Sequence, residues 1–265
     1  MGNRLIRTMW AGAVAALCAG ALESAAGECR LDSSAHRVTV VELFTSEGCS
    51  SCPPADRWFS GLPQDGISAE NAVLLAYHVD YWNQLGWPDR FSRPQFSDRQ
   101  RAVAKRSGTG FIYTPQVTVD GRDFRQRLST GSLRAKLAGI NREPGQARIK
   151  ADIRRSAPEL RIVGEVELAD AGNGNAQVWI AAFENGLATH VKAGENAGAR
   201  LNHDYVVREL AGPFPIGAGE RARLDHRIKV AADWNPERLG IAIFVEQADT
   251  GKVLEAASRY PLCGF

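Results

Sequence analysis

The feature that most constrains the fold of this chain is a pair of cysteines placed where a strand passes into a helix. The apolar, β-branched run Val38–Phe44 predicts a buried strand, and residues 55–62 are typical of a short helix that is opened by proline and closed near Gly61. Cys49, between the two, would face the unpaired N–H groups and positive dipole of that helix, which lower the pKa of a thiol. Cys52 lies one turn further on and can close a disulfide. The spacing therefore predicts a redox-active pair.

Other interpretations of the pair stay open at this point. Half of a zinc site is one, but the sequence contains no second Cys-x-x-Cys and no His-x-x-x-His. An inert structural disulfide is another, although so short a loop gains little from cross-linking. A copper or zinc site formed by Cys49, Cys52 and His78 is a third, because thiolates and imidazole are competent metal ligands.

The N-terminus predicts a signal peptide over residues 1–26. Arg4 and Arg7 precede an apolar run from Met9 to Leu22, and small residues follow it at a suitable cleavage point. An uncleaved anchor is the alternative, although the run is short for a membrane span. Export would make the protein periplasmic or secreted, in an oxidising compartment where disulfides persist.

Cleavage would remove Cys18 and leave four cysteines in the mature chain. Since Cys49 and Cys52 form one natural pair, we predict that Cys29 and Cys263, near the two ends of the mature chain, form a structural disulfide. In the chain-entropy model, a loop this long contributes up to roughly 5 kcal/mol.

The charge balance gives no case for nucleic acid or an anionic membrane as the main partner. The chain has 32 basic and 30 acidic residues, and its net charge is only +2. We expect a protein or a small thiol or disulfide as substrate, together with an unknown redox partner. We expect no membrane contact apart from the signal segment, no cofactor and no bound metal.

Strand and helix signals alternate in the first half of the chain and predict an α/β domain over residues 35–144. A second buried strand is predicted at Ala72–Val79, and Ser97–Gln100 is a capping box for a helix that ends at Gly108. In the second half, helical signals fade. Short strands with period-two alternation predict an all-β sandwich over residues 146–263.

The order of these elements resembles that of thioredoxin, in which a strand, a Cys-x-x-Cys helix start, a strand and a helix precede a Thr-Pro dipeptide. That resemblance implies a cis peptide bond before Pro115 and a substrate groove formed by Thr114 and Pro115; an ordinary trans proline at a strand start is the alternative. The chain is also similar to an uncharacterised family of secreted, thioredoxin-like bacterial proteins. The segments that carry this second resemblance are Val41–Asp56, His78–Trp82, Gly86-Trp87, Tyr113–Gln116, Gly194–Asn196 and Val206–Arg208.

Together the pattern and the resemblance imply an α/β thioredoxin-like domain followed by an all-β sandwich domain. They bring no established substrate. The chain also departs from ordinary thioredoxin, because Gly48 replaces the tryptophan before the first cysteine and Ser50-Ser51 separate the two cysteines. The redox potential therefore stays open.

Further residues are expected beside the pair, because parallel strands end at one edge of a sheet and ligands bind there. Glu42 is the candidate for the buried carboxylate that relays protons in thioredoxin, although its spacing to Cys49 is one residue longer and a one-residue shift swaps faces. His78 and Asp80 share an orientation, so a hydrogen bond between them would tune the imidazole; alternatively, both tie down the following insertion. The residues expected to line the site are Glu42, Glu47, His78, Asp80, Tyr81 and Trp82. The two aromatic residues either grip an apolar substrate or form the core of their own loop.

The sequence thus predicts a secreted or periplasmic thiol–disulfide oxidoreductase. Cys49 would attack a substrate disulfide and Cys52 would resolve the mixed disulfide. The rival class is a non-catalytic binding protein whose cysteine pair is inert. The other histidines show no ligand spacing and are interpreted as structural or surface residues: His190, His203 and His226.

Overall fold

The structure is a computed structural model that describes residues 29–126, 128–170 and 174–263. The predicted signal peptide lies outside these residues. The helices are α1 (Pro53–Gly61), α2 (Pro94–Ser107) and α3 (Thr130–Ile140). Strands from the first half are β1 (Cys29–Asp32), β2 (Thr39–Thr45), β3 (Ala72–His78), β4 (Gln116–Val119) and β5 (Arg122–Asp123). Strands from the second half are β6 (Ala147–Ser156), β7 (Glu159–Leu168), β8 (Ala176–Glu184), β9 (Leu187–His190), β10 (Arg200–His203), β11 (Val206–Ile216), β12 (Arg221–Lys229), β13 (Leu239–Gln247) and β14 (Val253–Arg259).

One large mixed sheet runs through both halves of the chain. Its eight strands lie in the order β14-β13-β8-β11-β3-β2-β4-β5. The two halves meet where β11 runs parallel to β3, with Val206 opposite Ala76 and a 2.8 Å hydrogen bond from the Ala76 N–H to the Tyr205 carbonyl. A second sheet has the order β1-β6-β7-β12, and β9 and β10 form a separate two-stranded hairpin.

This topology corrects the predicted fold class. The expectation of an α/β thioredoxin-like domain followed by an all-β sandwich domain is wrong, because strand is the predominant secondary structure (43%, against 17% helix) and the described residues contain three α-helices. Strands β2, β3 and β4 share their sheet with β8, β11, β13 and β14, so the first half does not form a sheet of its own. The predicted limits of 35–144 and 146–263 stay predictions.

The sheet is buried on both faces around β2 and β3. On one face, Val41 and Leu43 pack in a cluster with Phe59 of α1 and Leu137 of α3. On the other face, Phe44 and Tyr77 pack in a cluster that includes Phe96 of α2. Covering by helices on both faces explains why β2 and β3 are buried along their whole length rather than at alternate residues. Burial of each such side chain stabilises the fold by ~1.5–3 kcal/mol.

The four-stranded sheet packs against the β8–β13 end of the large sheet. Ile149 and Ile162 on the small sheet share one core with Ile180 and Ile243 on the large one. The alternation that predicted strands in this half therefore marks residues that face this shared core. No helix in the described part of the chain has the length and apolarity that a membrane span needs.

A buried charge cluster ties α2 to strands from both halves. The Arg99 guanidinium on α2 donates to Glu42 of β2 at 2.5 Å and to Glu246 of β13 at 3.2 Å. Burial opposes the charge on Arg99, but the two carboxylates outweigh this effect and raise its pKa. Arg99 therefore connects β2 in the first half of the chain to β13 in the second half through two buried ion pairs.

A disulfide joins Cys29 of β1 to Cys263 near the C-terminal end of the described residues, 234 residues apart. We expect the double variant C29S/C263S to lose on the order of 2–4 kcal/mol of unfolding free energy, because the cross-link restricts the unfolded chain. Urea denaturation of both proteins without reductant measures the difference. Equal denaturation midpoints would contradict this expectation.

Candidate functional site

The cysteine pair lies in the connection between β2 and α1. Cys49 and Cys52 are joined by a disulfide, and Cys52 is the N-cap residue of α1. The Cys52 carbonyl accepts the N–H groups of Ala55 at 2.8 Å and Asp56 at 3.0 Å, which begins the helix. Both cysteines have no exposed surface, whereas the two serines between them are exposed.

Thr114 and Trp82 lie beside the pair. The Thr114–Pro115 peptide bond is cis, the isomer that the resemblance implied. The Ser51 hydroxyl is 3.3 Å from Cys49 Sγ and 3.5 Å from the Thr114 carbonyl oxygen. Trp82 Nε1 donates to Thr114 Oγ1 at 2.8 Å. These contacts bring the predicted groove residues and one predicted lining residue to the cysteines.

Gly48 allows Trp82 to approach this closely. A Cβ atom at position 48 would lie 3.2 Å from the Trp82 Cβ and 3.5 Å from its carbonyl oxygen. Gly48 therefore makes room for Trp82, which lies in the segment that follows β3.

The connection between β9 and β10 reaches the same place from the second half of the chain. Glu195 Oε2 accepts the N–H of Ser50 at 2.9 Å. Asn196 Nδ2 donates to the carbonyl oxygens of Glu47 at 2.9 Å and Cys49 at 3.0 Å. Gly194–Asn196 was among the segments that carry the family resemblance, but sequence reasoning gave these residues no place in the site.

A buried ion pair lies close to the pair of cysteines. His78 Nδ1 is 2.6 Å from Asp89 Oδ2, and the Glu47 N–H donates to the same carboxylate oxygen at 2.8 Å. The predicted His78–Asp80 hydrogen bond is wrong, because Asp80 instead accepts the Ser97 hydroxyl at 2.5 Å. Burial opposes the charge on His78, but the Asp89 carboxylate outweighs it and raises the pKa of His78. Burial likewise opposes the charge on Asp89, and His78 outweighs it and lowers the pKa of Asp89.

His203 of β10 extends this buried polar cluster. Its Nε2 is 3.4 Å from Glu47 Oε1, its Nδ1 is 3.8 Å from Asp56 Oδ2, and its ring stacks edge-on against His78 with 4.9 Å between centroids. Burial raises the pKa of Asp56, against the opposing influence of His203 and His78. Burial opposes the charge on Glu47, but the neighbouring side chains of His203, Thr189 and Trp87 outweigh this effect and lower the pKa of Glu47 overall. Within the described ranges, both His203 nitrogens, His78 Nε2, Glu47 Oε1 and Asp56 Oδ2 have no hydrogen-bond partner.

Two of the predicted lining residues form hydrogen bonds with α2. Glu42 accepts hydrogen bonds from Arg99 and from the Thr118 hydroxyl, the latter at 2.9 Å, so its carboxylate belongs to the charge cluster of α2. The Tyr81 hydroxyl donates to Gln100 on α2 at 3.2 Å. Sequence spacing offered no signal for Asp89 or His203, because each meets His78 only through tertiary packing.

We expect the His78–Asp89 pair to make folding stability depend on pH. The raised pKa of His78 gives stability that is fully present below its ordinary value of 6.5 and is lost as pH rises through the raised pKa. The lowered pKa of Asp89 gives stability that is present above 3.8 and is lost as pH falls through the lowered pKa. The advantage of the wild type over D89N is therefore greatest between these two limits and shrinks toward alkaline pH.

Urea denaturation of wild type and D89N at about pH 5.5 and about pH 9 measures this advantage. The control is E209Q, since Glu209 faces His226 at 3.7 Å in a half-exposed pair and its removal leaves the pH profile nearly unchanged. A D89N deficit that is the same at both pH values would contradict the expectation.

The described residues contain no group of three or more His, Cys, Asp or Glu side chains arranged to hold a metal ion. Cys49 and Cys52, which the copper or zinc alternative required as thiolate ligands, are joined to each other in a disulfide. The geometry therefore gives no support to that alternative.

Comparisons with known proteins agree with an uncharacterised family. A family model described as "Protein of unknown function (DUF1223)" matches residues 40–246. A protein of Agrobacterium tumefaciens solved by X-ray crystallography is similar over 86% of this chain and 96% of its own, with 26% identity and a TM-score of 0.63. HBP35 of Porphyromonas gingivalis is similar in fold alone, over 86% of this chain and 76% of its own, with 14% identity and a TM-score of 0.65. Comparison with curated proteins gives no match.

Proposed function

The chain belongs to the DUF1223 family of proteins of unknown function, and on that premise we propose from its site that it is a periplasmic or secreted thiol–disulfide oxidoreductase. The observation that carries the proposal is the Cys49–Cys52 disulfide at the first turn of α1, with Cys52 as the N-cap. The positive end of a helix stabilises a nearby thiolate, which is the form that attacks disulfides, and the disulfide places Cys49 Sγ against the N-cap residue Cys52. Only this local arrangement of the two cysteines and α1 is compared with thioredoxin in the proposal.

The proposed exchange uses the two cysteines in sequence. The Cys49 thiolate attacks one sulfur of a substrate disulfide, forms a mixed disulfide and releases the other substrate sulfur as a thiolate. The Cys52 thiolate then attacks Cys49 Sγ, closes the Cys49–Cys52 disulfide and releases the second substrate sulfur. Two electrons pass to the substrate, and protons from solvent convert its thiolates to thiols. A redox partner of the dithiol class restores the reduced pair, and the reverse sequence oxidises a substrate dithiol.

Neighbouring groups support Cys49 as the attacking residue. The Ser51 hydroxyl, 3.3 Å from Cys49 Sγ, is placed to donate a hydrogen bond to the thiolate. Thr114 and Trp82 form one wall of the site and are tied together by a hydrogen bond. A substrate that reaches Cys49 would contact this wall first.

A redox titration of the protein in glutathione buffers tests the proposal. Alkylation and mass spectrometry count the thiols at Cys49 and Cys52 after equilibration from both the oxidised and the reduced side. We expect one reversible two-electron transition with the same midpoint from both sides. The Cys29–Cys263 disulfide is the internal control and is expected to stay oxidised over the same range.

A second function is favoured by one observation, the zero exposure of both cysteines of the pair. In this alternative the disulfide is inert and the protein binds a partner without chemistry. The titration separates the two functions, because an inert pair shows no transition at any accessible potential. That result would overturn the oxidoreductase proposal.

A further inference from the structure

A segment from the second half of the chain lies against the Cys49–Cys52 pair. It consists of residues 191–199, which connect β9 to β10, and we call it the strap. Most strap residues are exposed to solvent, whereas Cys49 and Cys52 have no exposed surface. The strap thus contacts the backbone of the segment that carries the buried Cys49.

Two strap side chains make the contacts with the cysteine segment. Glu195 Oε2 accepts the Ser50 N–H at 2.9 Å, and Asn196 Nδ2 donates to the carbonyl oxygens of Glu47 and Cys49. The Ser50 hydroxyl and N–H lower the pKa of Glu195, so the bound form is the carboxylate. Hydrogen bonds of this kind at the surface each contribute modestly, because water replaces them readily.

The base of the hairpin is held more firmly than its tip. His203 at the end of β10 is buried against Glu47 and Asp56, and Arg90 Nη2 donates to the Ala188 carbonyl at 3.0 Å. At the tip, Gly194 has a φ of +74°, and a Cβ atom there would lie 3.1 Å from the Trp87 Cβ. The base is thus held by buried side chains, whereas the tip is held by the packing of Gly194 on Trp87 and by the hydrogen bonds of Glu195 and Asn196.

We propose that the strap is a removable cover, and that Glu195 and Asn196 are positioning residues that set how often the Cys49–Cys52 pair becomes accessible. Release of their contacts with the Glu47–Ser50 segment opens the pair, while the base of the hairpin stays in place. The effect of the strap on accessibility does not depend on the proposed function. Only its role in controlling disulfide exchange rests on that proposal.

The test is the rate at which dithiothreitol reduces Cys49–Cys52 in the full chain, followed by alkylation and mass spectrometry. The variant E195A/N196A removes the three strap hydrogen bonds and is expected to be reduced at least about tenfold faster than wild type, because three hydrogen bonds at the weak end of their usual range already amount to that factor. The wild-type reduction rate is expected to reach a plateau at high dithiothreitol concentration, where opening of the strap becomes rate-limiting. The variant is expected to reach its plateau at a higher dithiothreitol concentration. E195Q keeps an acceptor for the Ser50 N–H and is expected to lie between the two.

Two further variants complete the set. K192A alters an exposed strap side chain away from the contacts and is expected to leave the rate at the wild-type value. G194A displaces the tip through Trp87 and is expected to speed reduction even if E195A/N196A fails to fold. Hydrogen exchange at the Ser50 amide, which does not depend on reduction, is expected to speed up in E195A/N196A.

The outcomes for the strap and for the proposed function are distinguishable. Faster reduction of E195A/N196A supports the proposal that the strap limits access to the cysteine pair. This conclusion holds even when the glutathione titration shows no reversible midpoint and the oxidoreductase proposal fails. Equal reduction rates and equal Ser50 exchange in wild type and a folded strap variant overturn the cover, and they do so even when the titration shows a reversible midpoint. No reduction of the pair in any variant overturns both.

Discussion

Replacing Cys49 with serine is expected to reduce disulfide exchange to the uncatalysed background. Serine provides no thiolate, so no mixed disulfide forms at the helix start. C52S is expected to behave differently, because Cys49 still attacks and the mixed disulfide is no longer resolved. Incubation with a disulfide-bonded peptide, followed by mass spectrometry under non-reducing conditions, measures both the released thiol and the trapped adduct.

The matched control is C29S/C263S, which removes the other disulfide and leaves the pair at α1 intact. Its exchange rate per folded molecule is expected to match that of wild type. Undiminished exchange in C49S would refute the assignment of Cys49 as the nucleophile. A C52S protein that turns over without accumulating adduct would refute the resolving role of Cys52.

Replacement of Arg99 with methionine is expected to destabilise the fold by ~3–5 kcal/mol. The variant leaves the buried Glu42 carboxylate without its guanidinium partner, while Glu246 keeps only the Arg106 guanidinium at 3.3 Å. Uncompensated buried charge is among the costliest changes in a protein interior. Urea denaturation measures the loss, and the midpoint is expected to fall without a change in the slope.

The control for Arg99 is Arg161, which also forms a close two-point contact with a carboxylate but at the surface. Its Nε and Nη2 lie 2.8 Å and 2.6 Å from the oxygens of Asp225, and both side chains are about half exposed. R161A is therefore expected to cost less than about 1 kcal/mol. Similar losses in R99M and R161A would show that burial of the Arg99 cluster does not set its contribution.

The local structure around the cysteines was predictable because its signals lie close together in the sequence. The apolar run at Val38–Phe44 became β2, shifted by one residue, and the proline-opened segment became α1. The start of α2 was less accurate. The capping box at Ser97 suggested an N-cap four residues after the observed one, Arg93, because Pro94 occupies the first turn and the Ser97 hydroxyl instead donates to Asp80.

The polar surroundings of the site could not be predicted because they form through tertiary contacts. His203 is 125 residues from His78 in the chain, yet their rings pack edge to face. Spacing rules detect ligand and catalytic sets only when one element carries them, and here the cluster draws on the β2–α1 connection, β3 and β10. Glu42 was a reasonable candidate by its place on β2, but Arg99 had no sequence signal that linked it to that carboxylate.

The sharing of a sheet by the two halves was missed for a related reason. Period-two alternation identifies a strand and its buried face, but it carries no information about which strand lies alongside. The pairing of β11 with β3 rests on Val206 opposite Ala76, and neither residue is distinctive. The change from helical to alternating sequence patterns near residue 146 was therefore interpreted as a domain boundary. One sheet nevertheless contains strands from both sides of this point.

The distance in sequence between the cysteines and the strap has a consequence for biosynthesis. Ser50 and Glu195 are 145 positions apart, so the ribosome makes the cysteines long before the residues that cover them. During that interval the pair is open to any oxidant that the growing chain meets. The order of synthesis thus lets the disulfide form before the segment that shields it exists.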